Sequence, residues 1–283
     1  MHYDEIHPGR SRNLPPVIVL AGGAARHPSY LGDLAGLGSR YRLIVPHLRG
    51  VGRSPGSPVA EVGSFWRQAE DLERLREHLG LDRVLLVGHS AGTRLAIAYA
   101  AQFARGLAGM VLITPPAGYL VDTPSDANEV IARRRGEPAF DAAVAASEAG
   151  PDLSNDDVFH AWQQRAAPMG YAAWGAAEQA HAMIGRWDLA AAKAYFSVEP
   201  PGDLAARVGA LAAPVLVIAG ADDCLTGLEP VKALATRFPA GRVEVIARCG
   251  HYPWLEQPST FRHAIDAFLD EWESAEKEPR ANS

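Results

Sequence analysis

Six short apolar runs punctuate the chain, at positions 17–20, 43–45, 84–87, 110–113, 215–219 and 243–246. They are rich in β-branched residues, mostly continuous rather than alternating, and bounded by Gly, Pro or charge. A run that is apolar at every position belongs to a strand buried on both faces, as in a parallel sheet covered on two sides. Helical periodicity fills the gaps. Phe65, Ala69, Leu72, Leu75 and Leu79 recur at spacings of three or four, with Ser64 placed to cap the start and Gly80 to end the helix. Residues 91–104 predict a second helix, and Phe261, Ile265 and Phe268 mark a third near the end. Strands alternating with helices predict an α/β domain whose mostly parallel sheet carries helices on both faces.

One region breaks the alternation. Residues 117–203 hold no convincing strand and are rich in alanine, with Phe159, Trp162, Met169, Tyr171, Trp174, Met183, Trp187 and Phe196 scattered through them. A structureless loop of that length is improbable in a compact domain. The reading is a helical insertion, 117–203, between the fourth and fifth runs, carried by a core domain of residues 1–116 and 204–283. Most of the insertion's aromatics are expected to form its own core. The charged tail, 273–283, is expected to fray.

Composition narrows the function classes. The chain has 283 residues, is 48% apolar and carries a net charge of −6. That apolar fraction excludes a disordered chain. Nucleic acid is not the expected partner, because phosphate contacts need clustered Lys and Arg. Two cysteines cannot staple a secreted mini-fold. No apolar stretch reaches the ~18 residues of a membrane helix, and Met1-His2-Tyr3-Asp4-Glu5 does not open a signal peptide. A soluble cytoplasmic protein acting on a small molecule is expected, without membrane or nucleic-acid partners; its oligomeric state is left open.

The chemistry concentrates at Gly88-His89-Ser90-Ala91-Gly92, a G-x-S-x-G string. It follows the run 84–87 and opens the helix from Ala91, the strand–turn–helix setting that lifts a serine hydroxyl above a sheet. Side chains at 88 and 92 would collide with neighbouring backbone, so glycine stands at both. A serine hydroxyl needs an adjacent base, itself oriented by a carboxylate. Gly220-Ala221-Asp222-Asp223 follows the run 215–219, and Cys249-Gly250-His251-Tyr252-Pro253 follows 243–246. Both groups fall at the C-terminal ends of strands, where open α/β sheets build their sites. His251 is the expected base. Asp223 is preferred as the acid, with Asp222 as the alternative. A tetrahedral intermediate also needs two preorganised N–H donors. Ala91 is expected to supply one from its backbone, and Gly23 or Ala24 the other.

These segments resemble α/β-hydrolase motifs: Gly88–Gly92, Gly220–Asp223 and Gly250-His251-Tyr252-Pro253-Trp254-Leu255-Glu256. The resemblance runs from about residue 3 to 272. Two stretches are most similar to proline iminopeptidase-like serine hydrolases, Leu20-Ala21-Gly22-Gly23-Ala24-Ala25 and Leu48-Arg49-Gly50-Val51-Gly52-Arg53-Ser54. Members usually carry H-G-G-P-G at the first and D-x-R-G-x-G-x-S at the second. Here Ala21 replaces the histidine, Ala24 the proline, and His47 stands where the aspartate should be. The resemblance implies an α/β-hydrolase fold with 117–203 as a helical cap over the active site. It also implies that one of the two strands opening the full fold is short or missing, since few residues precede Val17.

The expected reaction is hydrolysis of a small, apolar ester or amide through an acyl-enzyme on Ser90. The same three groups serve thioesterase, lactonase, C–C bond hydrolase or natural-product cyclase chemistry. A reading of another class is a non-catalytic scaffold that binds a small ligand. Candidate substrate contacts are His27 and Tyr30 after the oxyanion loop, Trp162, Trp174 and Trp187 in the insertion, and Tyr252 beside the base. Recognition of a substrate amine would need a carboxylate, with Glu178 ahead of Glu129, Glu148 and Glu199. Cys224 and Cys249 flank the acid and base, and a redox clip between them is a further reading. No cofactor or metal is expected: His160 and His181 lack partners at ligand spacing, and Gly50-Val51-Gly52 meets Pro55 where a dinucleotide loop needs glycine.

Overall fold

The apolar runs all become strands. A computed structural model describes residues 1–7 and 14–277 and contains β1 (Tyr3–Ile6), β2 (Val17–Leu20), β3 (Leu43–Pro46), β4 (Val84–His89), β5 (Leu107–Ile113), β6 (Val215–Gly220) and β7 (Gly241–Ile246). They form one sheet in the order β1-β3-β2-β4-β5-β6-β7. Only β1 is antiparallel to its neighbour, with Tyr3 opposite Pro46; the other pairs are parallel. Among the described residues a single strand precedes Val17.

Helix α1 (Phe65–His78) starts where Ser64 accepts a hydrogen bond from the Arg67 amide and stops before Gly80, whose φ is +64°. Helix α2 (Ala91–Gln102) follows β4. Between β5 and β6 the chain forms α3 (Ala127–Arg134), α4 (Pro138–Ala149), α5 (Asp156–Ala166), α6 (Ala176–Ala182), α7 (Leu189–Tyr195) and α8 (Leu204–Gly209), with no strand among them. Helix α9 (Leu228–Ala235) follows β6, and α10 (Pro253–Glu256) and α11 (Pro258–Lys277) follow β7. None of these helices is long and apolar enough to cross a membrane. Helix α11 takes in the first five residues of the charged tail; residues 278–283, where fraying was expected, lie outside the described residues.

Side chains alternate across the sheet, so each strand feeds two cores. Ile18, Leu20, Leu86, Met110, Leu112 and Val217 pack with α1, α2, α8 and α9. Val17, Val19, Leu85, Val87, Val111 and Ile218 pack with Tyr30, Leu31, Leu37 and Tyr41 and with Phe261, Ile265 and Phe268 of α11. Each such side chain contributes about 1.5–3 kcal/mol by leaving water. The run 243–246 departs from the expectation of two buried faces. β7 is an edge strand, and Val245 is 43% exposed. A strand with one neighbour has only one well-covered face.

The residues between β5 and β6 carry small cores of their own. One joins Val130, Phe140, Val144 and Met169 to Cys224. The other joins Phe159, Trp187 and Leu189. Backbone bonds stitch this segment to the loop after β2: the His27 amide donates to the Arg186 carbonyl at 2.8 Å, and the Asp188 amide to that of Ala25 at 3.3 Å.

Candidate active site

β4 runs into Ser90 with φ 50° and ψ −123°, and α2 begins at the next residue. A non-glycine residue held there stores about 1–3 kcal/mol of strain. The surroundings hold it: the Ser90 amide donates to the Ile113 carbonyl at 2.8 Å. A Cβ at Gly88 would lie 3.0 Å from the Gly92 carbonyl oxygen, and one at Gly92 would strike the carbonyl oxygens of Leu20 and Ala21. The two glycines are therefore the steric condition for the turn. The Ala91 N–H is the first of α2 and has no partner inside the helix.

Asp223 and His251 meet from separate loops. The turn after β6 places Asp223 at 1% exposure, and His251 Nδ1 lies 2.8 Å from its Oδ2. Asp223 also accepts from the Leu225 amide at 2.9 Å and the Thr226 hydroxyl at 2.7 Å. Burial opposes ionisation, but the His251 charge and these hydrogen bonds together hold the Asp223 carboxyl below its usual range. Asp222 does not join them. Its carboxylate is partly exposed with Arg133 at 3.5 Å, while its amide donates to the Cys249 carbonyl.

The base loop is fixed on several sides. The His251 amide donates to the Gly170 carbonyl at 2.8 Å, and its carbonyl accepts from Thr114 Oγ1 at 3.1 Å and His89 Nε2 at 3.0 Å. His89 Nδ1 in turn faces the Tyr30 hydroxyl at 2.8 Å, which accepts from the Gly22 amide at 2.6 Å. One chain of hydrogen bonds thus ties the loop after β2 to the loop of His251. Burial, then the neighbouring His251, pushes the His89 pKa well below the ordinary histidine value, so His89 is a neutral link in that chain. Glu256, pushed up to about 7 chiefly by burial, accepts from the amides of Ala172, Gly250 and Tyr252.

Ser90, Ala91, Gly23, Ala24 and His251 all line one pocket of about 500 Å³. Gly23 and Ala24 have φ of 68° and 39°, and either N–H remains a candidate second donor. The outer walls are mostly apolar, from Pro116, Leu153, Phe159, Leu189, Phe196 and Leu225, with Gln163, Lys193 and Thr226 among them. Leu153, Phe196 and Leu225 are each about half exposed and come together at this one pocket; clustered exposed apolar side chains mark a ligand-binding groove.

Most of the expected substrate contacts lie elsewhere. Tyr30 is buried, and its hydroxyl is taken up by Gly22 and His89. His27 caps a short turn through Ser29 and packs its ring on His47, 4.8 Å away. Trp174 packs on Tyr171. Trp162, Trp187 and Tyr252 line a second, smaller cavity of about 120 Å³ that shares Gln163 and Leu225 with the first. Glu178 accepts from the Gly175 amide through Oε2 as the cap of α6 and lines neither cavity. Among the described residues no Asp or Glu lines either cavity. Sequence reasoning missed Lys193, Gln163, Phe196 and Leu225; the place of Leu225 two residues after Asp223 was the available signal for the last. It also missed Arg26, which resembles ordinary loop polarity until its burial is seen.

Cys224 and Cys249 are free. Cys224 Sγ points to the Met169 carbonyl and Cys249 Sγ to that of Gly250. Burial pushes the Cys224 thiol up to about 12 and that of Cys249 higher still, so both are poor thiolates and the proposed clip is not formed. Among the described residues, His2, Asp4 and His47 could converge on a metal ion. His47 Nδ1 accepts from the Arg53 amide at 3.1 Å, which leaves Nε2 protonated and donating to Asp4 at 2.9 Å. A metal on Nε2 would have to displace that proton and break the Arg53 contact, so the trio fits a hydrogen-bonded network better than a ligand set.

His181 gives the site a pH signature. Its ring is buried between the Tyr171 hydroxyl, 2.8 Å from Nδ1, and the Tyr30 carbonyl, 2.9 Å from Nε2. Burial above all, with Arg26 adding to it, holds its pKa down to about 4 from 6.5. The unfolded chain takes up this proton near pH 6.5 and the folded protein only near 4. The contribution is therefore full above pH 6.5 and lost as pH falls towards 4. Urea unfolding at pH 7 and pH 4 should show the advantage of wild type over His181→Gln shrinking by about 3 kcal/mol.

Comparison with known proteins places this architecture. The profile of the alpha/beta hydrolase fold matches residues 15–258. The putative carbamate hydrolase RutD of Caulobacter sp. (strain K31) is 26% identical over 275 residues, covering 94% of this chain and 95% of that protein. A thermophilic esterase from Thermogutta terrifontis superposes with a TM-score of 0.66 at 26% identity, over 96% of this chain and 93% of that one. The proline iminopeptidase of Mycobacterium smegmatis superposes with a TM-score of 0.70 at 21% identity, over 97% and 96%. The profile match takes in six of the seven strands and all three loops that meet at the pocket, and on that basis the chain belongs to the α/β-hydrolase fold family.

Proposed function

We propose that the protein is a serine hydrolase that cleaves small esters or amides through an acyl-enzyme. The observation that carries this reading is the buried 2.8 Å contact of His251 Nδ1 with Asp223, made where His251 and Ser90 face one pocket. Ser90 Oγ attacks the substrate carbonyl while His251 Nε2 takes its proton. His251 then hands that proton to the leaving group, and Asp223 keeps Nδ1 protonated and steadies the imidazolium. The Ala91 N–H and that of Gly23 or Ala24 hold the oxyanion; a donor of this kind is worth about 3–4 kcal/mol in the barrier. Water bound in the same place reverses the sequence and releases the acid.

Residues 117–203 act in this reading as a cap carried by a core of 1–116 and 204–283. The support is that Leu153, Phe159, Gln163, Leu189, Lys193 and Phe196 wall a pocket whose floor is Ser90. The apolar walls favour an acyl or alkyl group, and no described residue among them offers the carboxylate an aminopeptidase needs to anchor a free amine. Esters are therefore favoured over aminoacyl amides.

A fluorophosphonate probe tests the reading directly. It should add its mass to the wild-type peptide that contains Ser90, and p-nitrophenyl esters should turn over faster than proline p-nitroanilide. A folded wild type that stays unlabelled would overturn the assignment.

A further inference from the structure

Arg26 is a buried cation, 2% exposed. Its acceptors are the carbonyls of His181, Ala182 and Ile184 and the Tyr252 hydroxyl; among the described residues no carboxylate is one of them. The guanidinium lies between the rings of Tyr30 and Trp187, each 4.3 Å from its carbon. Ring faces and carbonyl dipoles offset part of the cost of burying the charge, but an unpaired buried cation still costs several kcal/mol. A neutral side chain could tie these loops together without that cost.

The surroundings point to what the charge is for. Nη1 carries two N–H groups and has one acceptor, Tyr252 Oη at 3.2 Å. Arg26 and Trp187 both line the 120 Å³ cavity. This cavity adjoins the Ser90 pocket across their shared walls, Gln163 and Leu225. Its volume is that of about four waters, enough for a carboxylate and a methylene or two. The chain's net charge is −6, yet Arg26 and Lys193 are charged members of these two walls and, among the described residues, no acidic side chain lines them.

We propose that Arg26 and the cavity beside it form a subsite for a carboxylate carried by the substrate, so that the enzyme acts on an ester or amide with an anionic terminus. The inference rests on Ser90 as the nucleophile and adds a substrate class to that reading. The second Nη1 N–H is the donor such a carboxylate would engage, and Arg26 supplies the charge. The same guanidinium joins the loop of Gly23 to residues 181–184 and to Tyr252, beside His251, so an anion bound there would bear on the backbone that frames the reaction.

Glutarate, with uncharged glutaramide as its control, is the probe. Glutarate should raise the unfolding temperature of both wild type and Ser90→Ala saturably, and glutaramide should not. Arg26→Gln should lose the response. Should that variant fail to fold, Arg26→Lys, which keeps the charge but not the fork, should bind glutarate more weakly than wild type. In turnover, mono-p-nitrophenyl glutarate should exceed p-nitrophenyl butyrate in kcat/KM by about tenfold or more, a ratio that falls towards one in the Arg26 variants. Equal stabilisation by glutarate and glutaramide, stabilisation by neither, or a glutarate response that survives Arg26→Gln would overturn the subsite, while fluorophosphonate labelling of Ser90 would leave the hydrolase standing. Glutarate binding through Arg26 in a protein that resists the fluorophosphonate would do the reverse.

Discussion

Ser90→Ala should lower kcat for p-nitrophenyl esters by roughly 100,000-fold, about 7 kcal/mol in the barrier, and leave the fold intact. The size follows from chemistry: without Oγ there is no acyl-enzyme, and only the oxyanion donors and substrate positioning remain to help water attack. The structural neutrality follows from geometry. The Ser90 side chain makes no capping bond to α2, and the residue is held by its own amide on Ile113 and by the closeness of Gly88 and Gly92 to neighbouring backbone. Alanine accepts the same backbone strain, so urea unfolding should differ by no more than about 0.5 kcal/mol. A folded Ser90→Ala protein that keeps more than about a hundredth of the wild-type rate would place the nucleophile elsewhere.

Much of this site could be read before any coordinates, and the reason is local. A G-x-S-x-G turn between a strand and a helix declares its glycines within five residues, and the carbonyls of Gly92 inside the turn and of Leu20 and Ala21 at the end of β2 supply the sterics here. Asp223 and His251 were legible because each follows an apolar run, and strand ends on one edge of a parallel sheet converge whatever lies between them. The pocket walls were not legible. Which face of α5 or α7 looks at Ser90 depends on how the segment between β5 and β6 seats on the loop after β2, and that seating rests on backbone bonds that carry no residue signature, such as His27 to Arg186. Tryptophan serves equally well as core and as substrate platform, so Trp162 and Trp187 could not be assigned by type. Glu178 was misread for a different reason. Its spacing from Gly175 is that of a helix-capping pair, and an N-terminal amide claims a nearby carboxylate before any ligand can. Arg26 was invisible because a loop arginine is ordinarily solvated; only its burial without a carboxylate makes it informative.

Asp223→Asn should cost about 10,000-fold in kcat, whereas Asp222→Asn should leave kcat within about twofold. The asymmetry lies in what each carboxylate accepts. All three partners of Asp223 are donors: His251 Nδ1–H, the Thr226 hydroxyl and the Leu225 amide. An asparagine offers one oxygen and one NH₂. With the NH₂ towards His251, Nδ1 must become an acceptor, the proton moves to Nε2, and the imidazole can no longer take the Ser90 proton. With the NH₂ turned the other way, it meets the Leu225 N–H, and a buried donor is left facing a donor at about 1–3 kcal/mol. Either orientation harms the enzyme, the first through chemistry and the second through stability, so kcat and urea unfolding measured on the same preparation separate them. Asp222 offers no such lever, since among the described residues its side chain meets an exposed Arg133, 3.5 Å away. A large kcat loss in Asp222→Asn with near-normal turnover in Asp223→Asn would move the acid one residue back and require the turn after β6 to rearrange on binding substrate.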